Sequence, residues 1–257
     1  MRPRRYLAVV RLGALLQLRD AGLVVLMTLA PLVLMPFMIP ACKTMLVSEG
    51  YAAATGAEQA VPGMATLFSF LSVQVIVQSL FREHTWGTWP RLRASAATAA
   101  DVVLGKVTVA YAVQAAQLLV VLALGSVLFG YRPAGSLAAI VAVALLFAAV
   151  LAAFGVALSL WARSEGTALS VANLVGMLAA GLGGTLCTVA SFPDWAQPLA
   201  KLSPAYWALD AVRAVSLDGA GLADIASQLG ALGVFLAVLA ALAMVRCLLG
   251  IDDAKTE

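Results

Sequence analysis

The chain has 257 residues, of which 63% are hydrophobic and 11% charged, with a formal net charge of +3 and a mean hydropathy of +0.98. Soluble domains carry about 25% charged residues, so too little polar surface is available for a water-soluble domain, and the composition favours a membrane channel or transporter. The modest net charge gives no basis for nucleic-acid binding. The number of crossings follows from the apolar runs, because about 20 apolar residues span a hydrocarbon core of about 30 Å.

At the N-terminus, RPRRYLAVVRLGALLQLRD sets arginines at positions 2, 4, 5, 11 and 19 among Leu7, Val10, Leu15, Leu16 and Leu18 at roughly helical spacing. This predicts a basic amphipathic helix on the inner membrane surface over residues 1–20. The alternative is a signal peptide, since Ile39-Pro40-Ala41-Cys42 resembles a lipoprotein cleavage site. The charged region is too long for that, and five more apolar segments follow.

Six crossings are predicted: Gly22 to Ala41, Pro62 to Phe81, Val107 to Phe129, Ser136 to Trp161, Thr167 to Ala190 and Ser227 to Leu249. An even count puts both termini on one side. With the ends and the loops after the second and fourth crossings inside, twelve of the sixteen Lys and Arg residues are cytoplasmic, the orientation that the positive-inside rule requires. The outside then holds Lys43, Arg132, Lys201 and Arg213 against Glu49, Glu58, Asp194, Asp210, Asp218 and Asp224. Cys42, Cys187 and Cys247 are scattered and odd in number, which gives neither a disulfide framework nor a zinc spacing. Cys42 and Cys187 fall near the outer face, where a bridge and two buried free thiols are both open.

The loop after the second crossing reads FREHTWGTWPRLRAS from Phe81 to Ser95, with Gly105-Lys106 following. It gathers Arg82, Glu83, Arg91 and Arg93 around Trp86, Gly87, Thr88 and Trp89. A solvated charge run needs no aromatics, whereas Trp and Arg are the residues that most often anchor an interface. Two tryptophans resting at the headgroup level are the plainer reading. The run of arginine-glutamate, glycine-threonine, leucine-arginine and a later glycine-lysine resembles the first cytoplasmic loop of type-2 ABC exporter permeases. The resemblance implies that this loop carries the coupling helix on which a separate ATPase docks. It also implies an interfacial elbow helix before the first span.

The outer segment from Ser191 to Arg213 is longer than a connector. Asp210 and Arg213 sit at i,i+3 and can pair on one helical face, while Trp195, Tyr206 and Trp207 suit the interface belt. A helix that enters the leaflet and returns must be buried in protein to satisfy its backbone; a surface helix on the headgroups is the alternative. LSPAYWALDAVR, from Leu202 to Arg213, is similar to the leucine-serine-proline and arginine pattern in the re-entrant helices of the same permeases. The resemblance makes Pro204, Tyr206, Trp207, Asp210 and Arg213 a candidate gate.

Few polar residues lie within the crossings. Gln74 and Gln78 share a face of the second, Gln114 and Gln117 stand in the third, and Asn173 is alone in the fifth. Helix-to-helix hydrogen bonding is the ordinary role of such amides; the sharper expectation is that Gln74, Gln78 and Asn173 line a substrate route. Gly176, Ala180, Gly181, Gly183 and Gly184 form a small-residue face that suits either a subunit interface or packing within the chain.

No residue inside the bilayer resembles an ion or proton relay. No GxxxxGK[ST] sequence is present, so energy must come from another chain. A membrane enzyme is disfavoured: the sole histidine, His84, lies in the charged loop, and Leu217 to Asp224 is only a faint echo of a phosphatidyltransferase aspartate cluster. The expectation is therefore an all-α integral membrane protein. It has a cytoplasmic elbow helix over 1–20, a six-helix permease domain over 21–250 with short re-entrant helices between spans five and six, and a cytoplasmic tail over 251–257.

By resemblance, two ATP-binding cassette subunits and a second permease copy or paralogue complete the transporter, in a bacterial plasma membrane. ATP and Mg sit on the partner ATPase, with no cofactor or metal on this chain. The cargo is hydrophobic or amphipathic, a drug, antibiotic or lipid, with polysaccharide as the alternative within the same family.

Overall fold

The structure is a computed structural model and describes residues 3–85 and 99–248. Ten α-helices lie among the described residues: α1 (Pro3–Arg19), α2 (Gly22–Ser48), α3 (Ala57–Leu71), α4 (Val73–Thr85), α5 (Ala99–Phe129), α6 (Leu137–Trp161), α7 (Glu165–Leu182), α8 (Gln197–Ala200), α9 (Pro204–Leu217) and α10 (Ala226–Leu248). Six stretches are long and apolar enough to cross a membrane: Gly22–Ser48, Ala57–Arg82, Leu104–Phe129, Leu137–Trp161, Glu165–Leu182 and Ala226–Arg246. The all-helical, six-span expectation agrees with this architecture.

The largest differences from the expected boundaries are at the ends of spans 1 and 5, and span 2 begins at Ala57, five residues before the expected Pro62. Span 1 runs seven residues beyond Ala41 despite Pro31, Pro36 and Pro40, and a neighbouring helix occupies one of the carbonyls that proline frees. Pro31 has no N–H to give to the carbonyl of Met27. Gln117 Nε2 of span 3 donates to it instead, at 3.3 Å. Further along the same helix, Thr44 Oγ1 donates to the carbonyl of Ala41 at 2.7 Å. Span 5 is shorter than expected. It ends at Leu182, and the chain turns at Gly183 and Gly184, the latter at φ +83°, a conformation that side chains rarely adopt.

Span 2 is the centre of the bundle. In its most apolar window 83% of residues are buried, against 6% in span 6, so span 2 is solvated by protein and span 6 presents most of its surface outward. Span 2 packs against spans 1, 3, 4 and 5 and against α9, while span 6 leans on span 4 and α9. The core joins Val61, Phe68, Phe70 and Val73 of span 2 to Phe147 and Leu151 of span 4, with the Phe70 and Phe147 rings edge to face at 5.6 Å.

Span 2 is also broken. α3 stops at Leu71 and α4 begins at Val73. Gln114 Nε2 donates to the Ser69 carbonyl at 2.8 Å, and Ser72 Oγ donates back to the Phe68 carbonyl at 2.8 Å. Side chains entering the helical ladder and serine back-bonding are both recognised causes of a bend.

Latches close both ends of the bundle. At the end holding α1, Tyr6 and Thr108 share a hydrogen bond of 2.8 Å, and Gly105 and Gly13 let α1 approach span 3 at Val9 and Val109. Arg246 of span 6 stacks over Trp161 at 5.2 Å from the ring centre and gives its Nε–H to the Leu160 carbonyl at 3.1 Å, closing the open C-terminus of span 4. At the opposite end, the N–H groups of Ala134 and Gly135 reach the carbonyls of Ser216 and Val215, so the loop between spans 3 and 4 caps α9.

Candidate functional site

Three places hold the residues singled out by sequence: the base of span 2, the middle of spans 2 and 5, and the outer segment around α9.

At the base of span 2, Arg82 pairs with Asp20 at 3.2 Å, tying the end of the α1 segment to the last turn of the span. Asp20 is mostly exposed, so the bond itself contributes little stability. Arg82 also lines a small cavity of about 50 Å³ with Lys106, Ser72, Ser79, Gln114 and Gln117, space for one or two waters. Trp86, Gly87, Thr88, Trp89, Arg91 and Arg93 lie outside the described residues, as does the side chain of Glu83.

In the middle of the bundle the amides divide into two kinds. Gln114 and Gln117 are buried and bonded to backbone carbonyls of spans 2 and 1, which makes them helix-to-helix ties. Gln74, Gln78 and Asn173 are half-buried, and none forms a side-chain hydrogen bond among the described residues. Gly176 rests on Phe70, so in the antiparallel pair of spans 2 and 5 Asn173 stands level with Val73 and Gln74, at 1.5 Å of rise per residue. Gln74 and Gln78 are absent from the lining of the small cavity, which takes Ser72, Val75, Ile76 and Ser79 from the other side of the same span.

The small-residue face of span 5 is engaged inside the chain. A methyl group on Gly183 would stand 2.3 Å from Ala205 Cβ and 2.8 Å from Tyr206 N, while one on Gly181 would meet nothing within 4 Å. The glycines of this stretch thus serve first as the seat of α9. The outward surface of span 5 is carried by Leu174, Met177 and Leu178, all exposed.

Local sequence explains α9. Ser203 caps its N-terminus by accepting from Ala205 N at 3.1 Å, and its hydroxyl donates to the Ala179 carbonyl at 2.6 Å. Pro204 occupies the first turn, where a missing N–H costs nothing. Ala205, Ala208, Ala211 and Val215 are buried against spans 2, 4, 5 and 6. α9 is therefore packed in protein along this face, unlike a helix resting only on headgroups.

The pairing that the spacing allows between Asp210 and Arg213 is not made. Arg213 pairs with Glu49 at the end of span 1, and Asp210 accepts from Gln228 Nε2 of span 6 at 2.9 Å. α9 lies between those two helix ends, and each long-range partner replaces the neighbour along the helix. Trp207 donates its Nε1–H to the Lys201 carbonyl at 3.0 Å and stands edge-on to Tyr206. Cys42 and Cys187 are both free thiols, and burial pushes the Cys187 thiol up from its ordinary range.

Beside α9 lies a cavity of about 390 Å³ that the sequence did not reveal, lined by Tyr51, Gln59, Gly184, Thr188, Gln197, Tyr206, Asp210, Arg213 and Asp218 among others. Gln59 is 1% exposed; its Nε2 donates to the Gly184 carbonyl at 2.9 Å, while its Oε1 has no partner. Tyr51 OH donates to Asp218 Oδ1 at 3.0 Å. Burial first, and then that carboxylate, hold the Tyr51 phenol above its usual range; burial and then Asp210 do the same for Tyr206. Sequence reasoning missed this site because Gln59 lies before the expected start of span 2 and Glu49 counted only as an outer acid. The one signal available was a glutamine beside Glu58 at the head of an otherwise apolar run.

Among the described residues, an all-helical bundle with six segments long and apolar enough to cross a membrane marks a multi-pass α-helical membrane protein. Residues 44–245 match the family model described as ABC-2 family transporter protein, and the chain belongs to that family. No curated protein matches the chain.

Proposed function

We propose that the chain is the permease subunit of an ATP-binding cassette exporter, supplying the membrane path for a hydrophobic or amphipathic cargo such as a drug, antibiotic or lipid. ATP is hydrolysed, with Mg, on two separate cassette subunits, and a second permease copy or a paralogue completes the path. The observation that carries this reading is the position of span 2. It is the most buried element of an ABC-2 bundle, and it runs directly into the Arg82 to Arg93 segment with its two tryptophans.

In this reading the segment from Arg82 to Arg93 is the docking surface, and a push on it reaches α4 first. The break at Ser72 lets α4 turn without carrying α3 along. Gln74, Gln78 and Asn173 would then offer unpaired amides to a cargo on a wall that is otherwise apolar. ATP acts only through the difference in docking geometry between its two states. The termini and the docking segment are cytoplasmic by the distribution of Lys and Arg, and α1 is the elbow helix that lies in the interface with Leu7, Leu12, Leu15 and Leu18 outward. Co-purification of the tagged chain with a cassette ATPase, followed by ATPase stimulation across a panel of hydrophobic compounds, tests the reading. Stimulation by such compounds supports it; turnover of lipid by the chain alone overturns it.

A further inference from the structure

The cavity beside α9 combines a buried unpaired acceptor with two carboxylates. Three of its donors are directed at partners within the protein: Tyr51 OH at Asp218, Gln59 Nε2 at the Gly184 carbonyl, and one Arg213 N–H at Glu49. Gln59 Oε1 is buried without a partner, and Gln59, Asp210 and Asp218 share the lining. With Arg213 neutralised by Glu49, two negative charges remain. A buried carbonyl left unpaired costs about 1–3 kcal/mol, so the site is complete only when a donor enters it. An anion is repelled by the two carboxylates. A sugar is neutral and gains nothing from the two negative charges. An ammonium group carries donors only, together with a positive charge, and the rings of Tyr51 and Tyr206 on the lining suit a cation.

We propose that this cavity, at the end of the bundle opposite the termini, binds the ammonium group of an amphipathic amine, with Gln59 Oε1, Asp210 and Asp218 as its acceptors. The proposal rests on the exporter reading only in making such an amine a cargo; the binding itself needs no ATPase. The amine comes either from a free solute or from an ethanolamine lipid headgroup.

Equilibrium dialysis of radiolabelled hexylammonium, with hexanol as the neutral comparison, on the full chain in maltoside micelles tests it. Hexylammonium is expected to bind saturably and hexanol not to. Asp210→Asn together with Asp218→Asn keeps the acceptors for Gln228 and Tyr51 while removing both charges, and should weaken binding about tenfold or more. Adding phosphatidylethanolamine to the micelles, with phosphatidylglycerol as control, separates the sources: competition assigns the site to a headgroup, and none assigns it to a free amine. Equal binding of hexanol and hexylammonium to the wild-type chain overturns the proposal even if the double variant fails to fold, as does unchanged affinity in a folded double variant. Either failure leaves the exporter reading to its own co-purification test.

Discussion

Gly183 bears the closest approach between span 5 and α9, and its replacement separates packing from helix propensity. Gly183→Ala places a methyl group 2.3 Å from Ala205 Cβ and should destabilise the chain by about 2 kcal/mol, within the usual cost of overpacking. Gly181→Ala, two residues away and facing open space, should be neutral or slightly stabilising. Thermal unfolding of both variants in detergent checks the contrast; equal midpoints would mean that α9 is not seated on span 5. Gln117→Leu tests the proline-freed carbonyl of Met27 in the same assay. Its loss should cost about 1 kcal/mol, in the upper range of membrane hydrogen bonds. An unchanged midpoint would show that Met27 finds another donor or needs none.

The elements themselves were legible to different depths. Apolar runs of about 20 residues declare a span by length and hydropathy alone, which is why all six are readable. Their ends are set by three-dimensional partners. Span 1 continues through three prolines, with Gln117 of span 3 donating to the carbonyl that Pro31 leaves open, and span 5 stops where Gly183 meets Ala205. The caps of α9 follow from Ser203-Pro204, whereas the partners of Arg213 and Asp210 come from residues 164 and 18 positions away. The cavity around Gln59 depends on such long-range meetings, so the local pattern marks it only by a glutamine beside Glu58. Among the amides, spacing could not tell ties from free groups; the structure separates Gln114 and Gln117 from Gln74 and Gln78. Replacing both Gln74 and Gln78 with leucine should therefore change compound-stimulated ATPase activity of the assembled transporter with assembly intact. A double variant that no longer assembles would assign those two amides a structural role instead.

For the whole molecule, the proposed coupling route runs through the most buried of the six spans. Span 2 meets protein on nearly all sides, and its end carries the charged, tryptophan-bearing segment. Coupling by this route predicts that damage to the segment spares insertion and folding but breaks communication with the ATPase. Charge reversal at Glu83→Lys together with Arg91→Glu, with binding and coupling of the cassette ATPase read side by side on the purified complex, tests this most directly. The account predicts a normally inserted permease with the same thermal midpoint that either releases the ATPase or hydrolyses ATP without export. Wild-type ATPase binding together with wild-type coupling in that variant would contradict it.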